Sequence, residues 1–239
     1  MTAEAARALR TGALGLGLGA LALPQVAGAL LPGAGVAPAR LLALAASHLA
    51  LGLAALAVAG GIGIVLGIVA TRRRGAALQP LIDALSAAAQ AVPPIVVVAL
   101  ALPVLGFGTG PTALALVGYC LLPVLRGTAD ALATVPPEVR GAARAMGMTS
   151  FQALLRVELP LAARPILGAL RVSLTLAIAT AAVGSLAGAA TLGTPIVTGL
   201  QTQNDLQVLQ GASATAALAF LSEAAFLALS ALLPLDRAD

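Results

Sequence analysis

Long apolar runs separated by short polar interruptions set the pattern of this chain. Six stretches, roughly 12–31, 47–70, 81–105, 111–125 (extending toward 130), 163–190 and 212–234, are dominated by Gly, Ala and Leu. A helix needs about 20 mostly apolar residues to cross a bilayer, and these six qualify. Alternating ten-residue strands are missing, which argues against a membrane barrel. The pattern predicts an all-α, polytopic membrane helical bundle with about six transmembrane helices. In the second run Gly60, Gly63 and Gly67 fall at i, i+3 and i+7, a small-residue face that lets two helix backbones approach closely. Pro93, Pro94 and Pro103 interrupt the third run, which is tolerable where neighbours satisfy the freed carbonyls.

Composition sharpens this reading. The chain has 239 residues, 60% of them hydrophobic and only 9% charged, with a mean hydropathy of +1.03; soluble domains carry about a quarter charged residues. All 13 basic residues are arginine, which excludes a phosphate-loop lysine and a Schiff-base lysine together. Arg7 and Arg10 precede the first run, Arg72, Arg73 and Arg74 follow the second, and Arg237 follows the sixth. Arg126, Arg140, Arg144, Arg156 and Arg164 lie between the fourth and fifth, and only Arg40 falls on the other side. Six spans with both termini in the cytoplasm satisfy the positive-inside rule almost completely. The net charge of +4 then reflects membrane topology rather than nucleic-acid binding. Arg171, inside the fifth run, is close enough to its cytoplasmic end to snorkel.

Cys120 permits no internal disulfide and reads as core filler, and the lone His48 excludes paired-histidine zinc motifs. Arg7, Arg10, the first apolar run and "AGA" at 27–29 also resemble a secretory signal peptide. Cleavage there would leave five spans with the same orientation.

One segment is different. "ATVPPEVRGAARAMGMTSFQALLRVELP", residues 133–160, is polar and gently amphipathic. Pro136 and Pro137 suit a first helical turn. Val139, Ala142, Ala143 and Met146 make one apolar face, and Gly147 is a left-handed cap. Thr149 and Gln152 form a capping box for a second helix; Phe151, Leu154 and Leu155 are its apolar face, and Pro160 stops it. Two short helices about a glycine could be a DNA-binding helix-turn-helix. This second helix offers only Gln152 and Arg156 to bases and is tethered between spans, so docking of a cytoplasmic partner is the better reading.

The same residues carry a resemblance. Permeases of bacterial ATP-binding-cassette importers share a cytoplasmic loop of Glu-Ala-Ala, three residues, Gly, nine residues, then aliphatic, any residue, Leu, Pro. Ala142, Ala143 and Gly147, then Val157, Glu158, Leu159 and Pro160, match that spacing; the glutamate position is Gly141. The flanks resemble the osmoprotectant (glycine betaine, carnitine, choline) permeases over about residues 47–233. "HLALGLAALAVAGGIGIVLGIVATRRR" is similar to their opening core helix and "GTPIVTGLQTQNDLQVLQGA" to their last external loop.

The resemblance implies a five-helix MetI-like core at 47–234 with a coupling loop at 131–162. Residues 1–46 would add a helix and an external linker, and 235–239 a cytoplasmic tail. It also implies import driven by a separate ATPase subunit that carries ATP and Mg, with no cofactor and no enzymatic chemistry on this chain. An extracytoplasmic binding protein, a second identical or related permease and the bilayer of the inner membrane are the implied partners. In the family the glutamate helps seat the loop in the ATPase; Glu138, three residues before Gly141, is a candidate substitute, and a weakened contact is the alternative.

Polar groups inside a bilayer are functional candidates. Glu223 could form a cation-friendly patch or pair with Arg171, and Asp83 could pair with Arg72–Arg74. Ser173, Thr180, Gly184 and Ala187 recur at near-helical spacing and could line a translocation path, although hydroxyls bonded to their own helix explain the polar pair equally well. Gln201, Gln203, Asn204 and Asp205 suit contact with a binding protein, or are simply a solvated loop. Phe107, Tyr119, Phe151, Phe220 and Phe226 are the whole aromatic set, too few for a dedicated quaternary-ammonium cage, so solute choice falls to the binding protein. Permeases for an amino acid or sulfonate, or a secondary carrier coupled through Glu223, are the rival readings.

Overall fold

The computed structural model describes residues 22–28, 35–72, 80, 82, 84 and 91–232. All regular structure among them is helical. We number the helices α1 (residues 22–28), α2 (Pro38–Ala70), α3 (Pro94–Leu105), α4 (Thr109–Ala133) and α5 (Pro137–Ala145). There follow α6 (Ser150–Ala153), a π turn (Leu154–Glu158), α7 (Leu159–Ala181), a 3-10 turn (Ala182–Ala187), α8 (Gly193–Thr202) and α9 (Asp205–Leu232).

Among the described residues four helical segments are long and apolar enough to cross a bilayer: Pro38–Ala70, Thr109–Ala133, the continuous Ser150–Ala187 and Asp205–Ser230. Each begins before the apolar run that predicted it, because helical hydrogen bonding carries on through the flanking residues. The expected third span is different. The chain breaks at Val92–Pro93, and α3 restarts at Pro94 as a 12-residue apolar helix. Proline biases its predecessor toward extended backbone, which makes Pro93–Pro94 a helix start rather than a kink within one span. Of the first predicted span only 22–28 is described; Arg7, Arg10, Arg73, Arg74, Asp83 and Arg237 also lie outside the described residues.

Three helices make the centre. Ala55 and Ala59 of α2, Leu116 and Cys120 of α4, and Ala177 and Ala181 of α7 form one buried cluster. Small side chains there allow close backbones, and the glycine face does the same at one end. A Cβ at Gly67 would stand 2.6 Å from the Leu125 carbonyl oxygen, and one at Gly60 would stand 3.0 Å from Leu170. The glycines are therefore packing residues, as their spacing suggested.

The two ends of the bundle differ. Leu41, Leu44 and Leu192 pack together at one end; Ala131, Leu132, Val135, Leu154, Ala162 and Ile166 pack at the other, beneath α5 and α6. Thus α2 and α4 run parallel and pack directly on each other, with α7 antiparallel against both. At the first end His48, fully buried, bridges two other segments: its Nε2 lies 2.8 Å from the Ile178 carbonyl oxygen, and its Nδ1 accepts from the Leu192 N–H at 3.1 Å. Those partners assign the neutral tautomer with the proton on Nε2. A membrane interior tolerates few free backbone groups, and here a side chain satisfies them where the helix ends.

Candidate functional site

The polar segment folds as its residues dictate. Pro137 opens α5, Gly147 takes φ +77°, and the Thr149–Gln152 capping box has both bonds, at 3.2 and 2.9 Å. Ala143 is buried, whereas Glu138, Gly141 and Ala142 are exposed. A Cβ at Gly141 would meet nothing within 4 Å, so the missing family carboxylate reflects no crowding within this chain.

Two expectations for the segment are corrected. Of the apolar face Phe151, Leu154 and Leu155, only Leu154 is buried; Phe151 is 68% and Leu155 49% exposed, as is Met146 at 68%. The alanines suffice to seat the loop, which leaves the larger side chains outward. Pro160 does not stop the helix. The missing N–H and ring of Pro160 fall opposite the Arg156 carbonyl, and the chain widens into the π turn at 154–158 and runs on as α7.

That π turn carries Glu158, and Glu158 organises the site. Its side chain is 8% exposed, and Arg72, just past α2, grips it through both terminal nitrogens: Nη1 to Oε1 at 3.3 Å and Nη2 to Oε2 at 3.0 Å. Arg140 of α5 adds a longer ionic contact, Nε to Oε2 at 4.0 Å, and its Nη2 donates to the Leu132 carbonyl at the end of α4. One carboxylate thus ties α2, α5 and the base of α7 together. Paired, forked guanidinium contacts fix geometry as well as charge. In the sequence Glu158 stands only as the variable position of the loop motif; the one signal was a lone carboxylate directly before Leu159–Pro160, on the arginine-rich side of the chain. Leu159 is half-buried and Pro160 exposed at the start of α7.

The other candidate residues lie apart from this cluster. Arg171 Nε and Glu223 Oε1 are 3.1 Å apart, and Thr175 Oγ1 donates to Glu223 Oε2 at 3.2 Å, joining α7 to α9. Arg171 is thus engaged in the bundle. Ser173 is fully buried and its hydroxyl approaches the Cys120 carbonyl at 3.4 Å. Gly184 is buried in the 3-10 turn, where a Cβ would stand 2.4 Å from Thr112. Thr180 is half-buried and Ala187 fully buried.

The polar loop between α8 and α9 is a tight turn. Gln203 adopts φ 53°, the Asn204 N–H donates to the Gly199 carbonyl at 2.8 Å, and Asn204 Oδ1 accepts from the Gln207 N–H at 3.2 Å. The last is a helix N-cap. Gln201 and Asp205 are exposed. No cluster of three or more His, Cys, Asp or Glu that could hold a metal occurs among the described residues.

A bundle of helices long and apolar enough to cross a bilayer, with a polar two-helix connector pinned at one end, is the architecture of a polytopic membrane protein. The family of binding-protein-dependent transport system inner membrane components matches residues 63–233, and the chain belongs to that family. It is 36% identical over 163 residues to the glycine betaine/carnitine/choline transport system permease protein OpuCD of Bacillus subtilis, covering 68% of this chain and 70% of that one. It is 33% identical over 181 residues to the osmoprotectant import permease protein OsmY of Salmonella typhimurium, covering 76% and 77%. Among solved structures it resembles an inward-facing MetNI methionine ABC transporter, with a TM-score of 0.71 at 22% identity over 82% of this chain and 96% of that one. That likeness is one of fold.

Proposed function

We propose that this chain is the permease subunit of an ATP-driven importer for a small osmoprotectant such as glycine betaine, carnitine or choline. An extracytoplasmic binding protein delivers the solute, and a separate ATPase subunit hydrolyses ATP with Mg. Two permease copies, identical or related, complete the path, and both termini lie in the cytoplasm. The solute class rests on the activities of the OpuCD and OsmY relatives.

The observation that carries the coupling role is the Glu158–Arg72 clasp. The ATPase contacts the exposed surface of 131–162, where Met146, Phe151 and Leu155 stand outward. A push on that surface reaches α2 through Arg72, α4 through Arg140 and α7 directly, so three spans move together between inward- and outward-open states. Gly147 supplies the bend between the two loop helices. Glu138, exposed in the first turn of α5, stands in for the carboxylate absent at Gly141. Ser173, Thr180, Gly184 and Glu223 border the solute path, and Gln201, Asn204 and Asp205 meet the binding protein.

The test is reconstitution with the ATPase and binding protein, followed by solute uptake. Uptake that needs both partners and ATP, and persists with an uncoupler present, supports the reading. Uptake that collapses with the uncoupler while ATP stays high would transfer the role to a carboxylate-coupled carrier. Loss of coupling in Glu138→Ala checks the substitute carboxylate; an unchanged ratio of solute to ATP removes it from the account.

A further inference from the structure

We propose that a cavity at the loop end of the bundle binds the phosphate of an anionic phospholipid headgroup. The cavity, of about 450 Å³, is lined by Thr71, Arg72, Arg140, Arg144, Ser150 and Glu158. Three guanidinium groups against one carboxylate leave a formal surplus of two positive charges in its wall. Arg72 already uses both oxygens of Glu158, and the Nε groups of Arg72 and Arg140 are buried with no hydrogen-bond acceptor. That surplus charge calls for an anion, and an oxyanion with several acceptor oxygens is the kind that guanidinium groups hold best. Arg144 is exposed and free to swing onto it.

Depth selects the source of the phosphate. Thr71 and Arg72 directly follow α2, and Glu158 stands near the start of the continuous Ser150–Ala187 helix, so the cavity lies at one end of two helices long and apolar enough to cross a bilayer. Val69 and Leu161, each within three residues of a lining residue, are 52% and 47% exposed. They give acyl chains an apolar surface beside the arginines. Basic pockets at that depth recognise anionic headgroups. The inference needs only that α2 and α7 cross the bilayer; it does not depend on the solute or on the ATPase.

Native mass spectrometry of the purified chain, released from nanodiscs of mixed phosphatidylglycerol and phosphatidylcholine, tests it. The expected result is preferential retention of phosphatidylglycerol, weakened about fivefold in Arg144→Gln. Arg40→Gln, at the opposite end of α2, keeps the preference. Arg144 is exposed, so its variant folds; melting temperature confirms that. Equal retention of the two lipids, or retention unmoved by Arg144→Gln, overturns the proposal. So does stabilisation by inorganic phosphate in pure phosphatidylcholine discs with no lipid preference, which makes the site one for free anions. A fourth outcome, weaker ATPase association in Arg144→Gln with lipid retention unchanged, makes the cavity a protein contact and also overturns it.

Discussion

Glu158 and Glu223 are both carboxylates in an apolar protein, both face arginines, and they are held very differently. Glu158 is 8% exposed and engages two arginines from two other segments; Glu223 is 32% exposed and pairs with Arg171 alone, assisted by the Thr175 hydroxyl. The first joins a connector to the ends of three helices, while the second joins two helices side by side. Burial makes the first pair strong in its context and costly to break, because a partner left alone keeps its charge in a poor solvent. Partial exposure leaves the second closer to a surface pair. Under the proposed function, the difference separates a clasp that would transmit movement from a tie that registers two spans.

Substitutions can break or sharpen that contrast. Glu158→Ala should have the largest effect, a loss of about 3 kcal/mol with Arg72 and Arg140 left facing each other, read as a lower melting temperature in detergent. Gly67→Ala comes next: its Cβ would lie 2.6 Å from the Leu125 carbonyl oxygen, and overpacking of this kind costs roughly 1–3 kcal/mol. Because it loosens α2 against α4 without touching Glu158, it separates general destabilisation from loss of the clasp in an uptake assay. Glu223→Gln should cost about 1 kcal/mol or less; a loss larger than that of Glu158→Ala would reverse the ranking of the two carboxylates. The smallest change is a gain. Gly141→Ala, at an exposed position with open space around it, should stabilise α5 by up to about 1 kcal/mol through helix propensity, measurable as a small rise in melting temperature.

Much of this was legible in the sequence because it is local. Proline at a helix start, Gly147 in the left-handed region, the Thr149–Gln152 box and the Gly60–Gly63–Gly67 face all follow from neighbours a few residues apart. The pairing of Arg171 with Glu223 was open to reasoning because unpaired charges are rare within a span. What the sequence hid is long-range. Arg72 and Glu158 are 86 residues apart, and His48 meets Ile178 and Leu192 across 130 and 144. No periodicity encodes such separations. The outward face of Phe151 and Leu155 was hidden for a different reason: an apolar side chain in a loop reads as core until a partner's surface is considered. The π turn at 154–158 escaped notice because Pro160 normally reads as a stop, and only the packing of Leu154 and Ala162 into one cluster explains why the helix continues instead.

The most direct test is a double-mutant cycle on Arg72 and Glu158, read as ATP-driven solute uptake by the reconstituted complex alongside ATP hydrolysis. If the clasp transmits movement, Arg72→Gln and Glu158→Gln each lower uptake per ATP, and the double variant is no worse than the more damaging single one. Additive losses, or uptake per ATP unchanged in both single variants, would contradict a coupling role for the pair and reduce it to a structural contact.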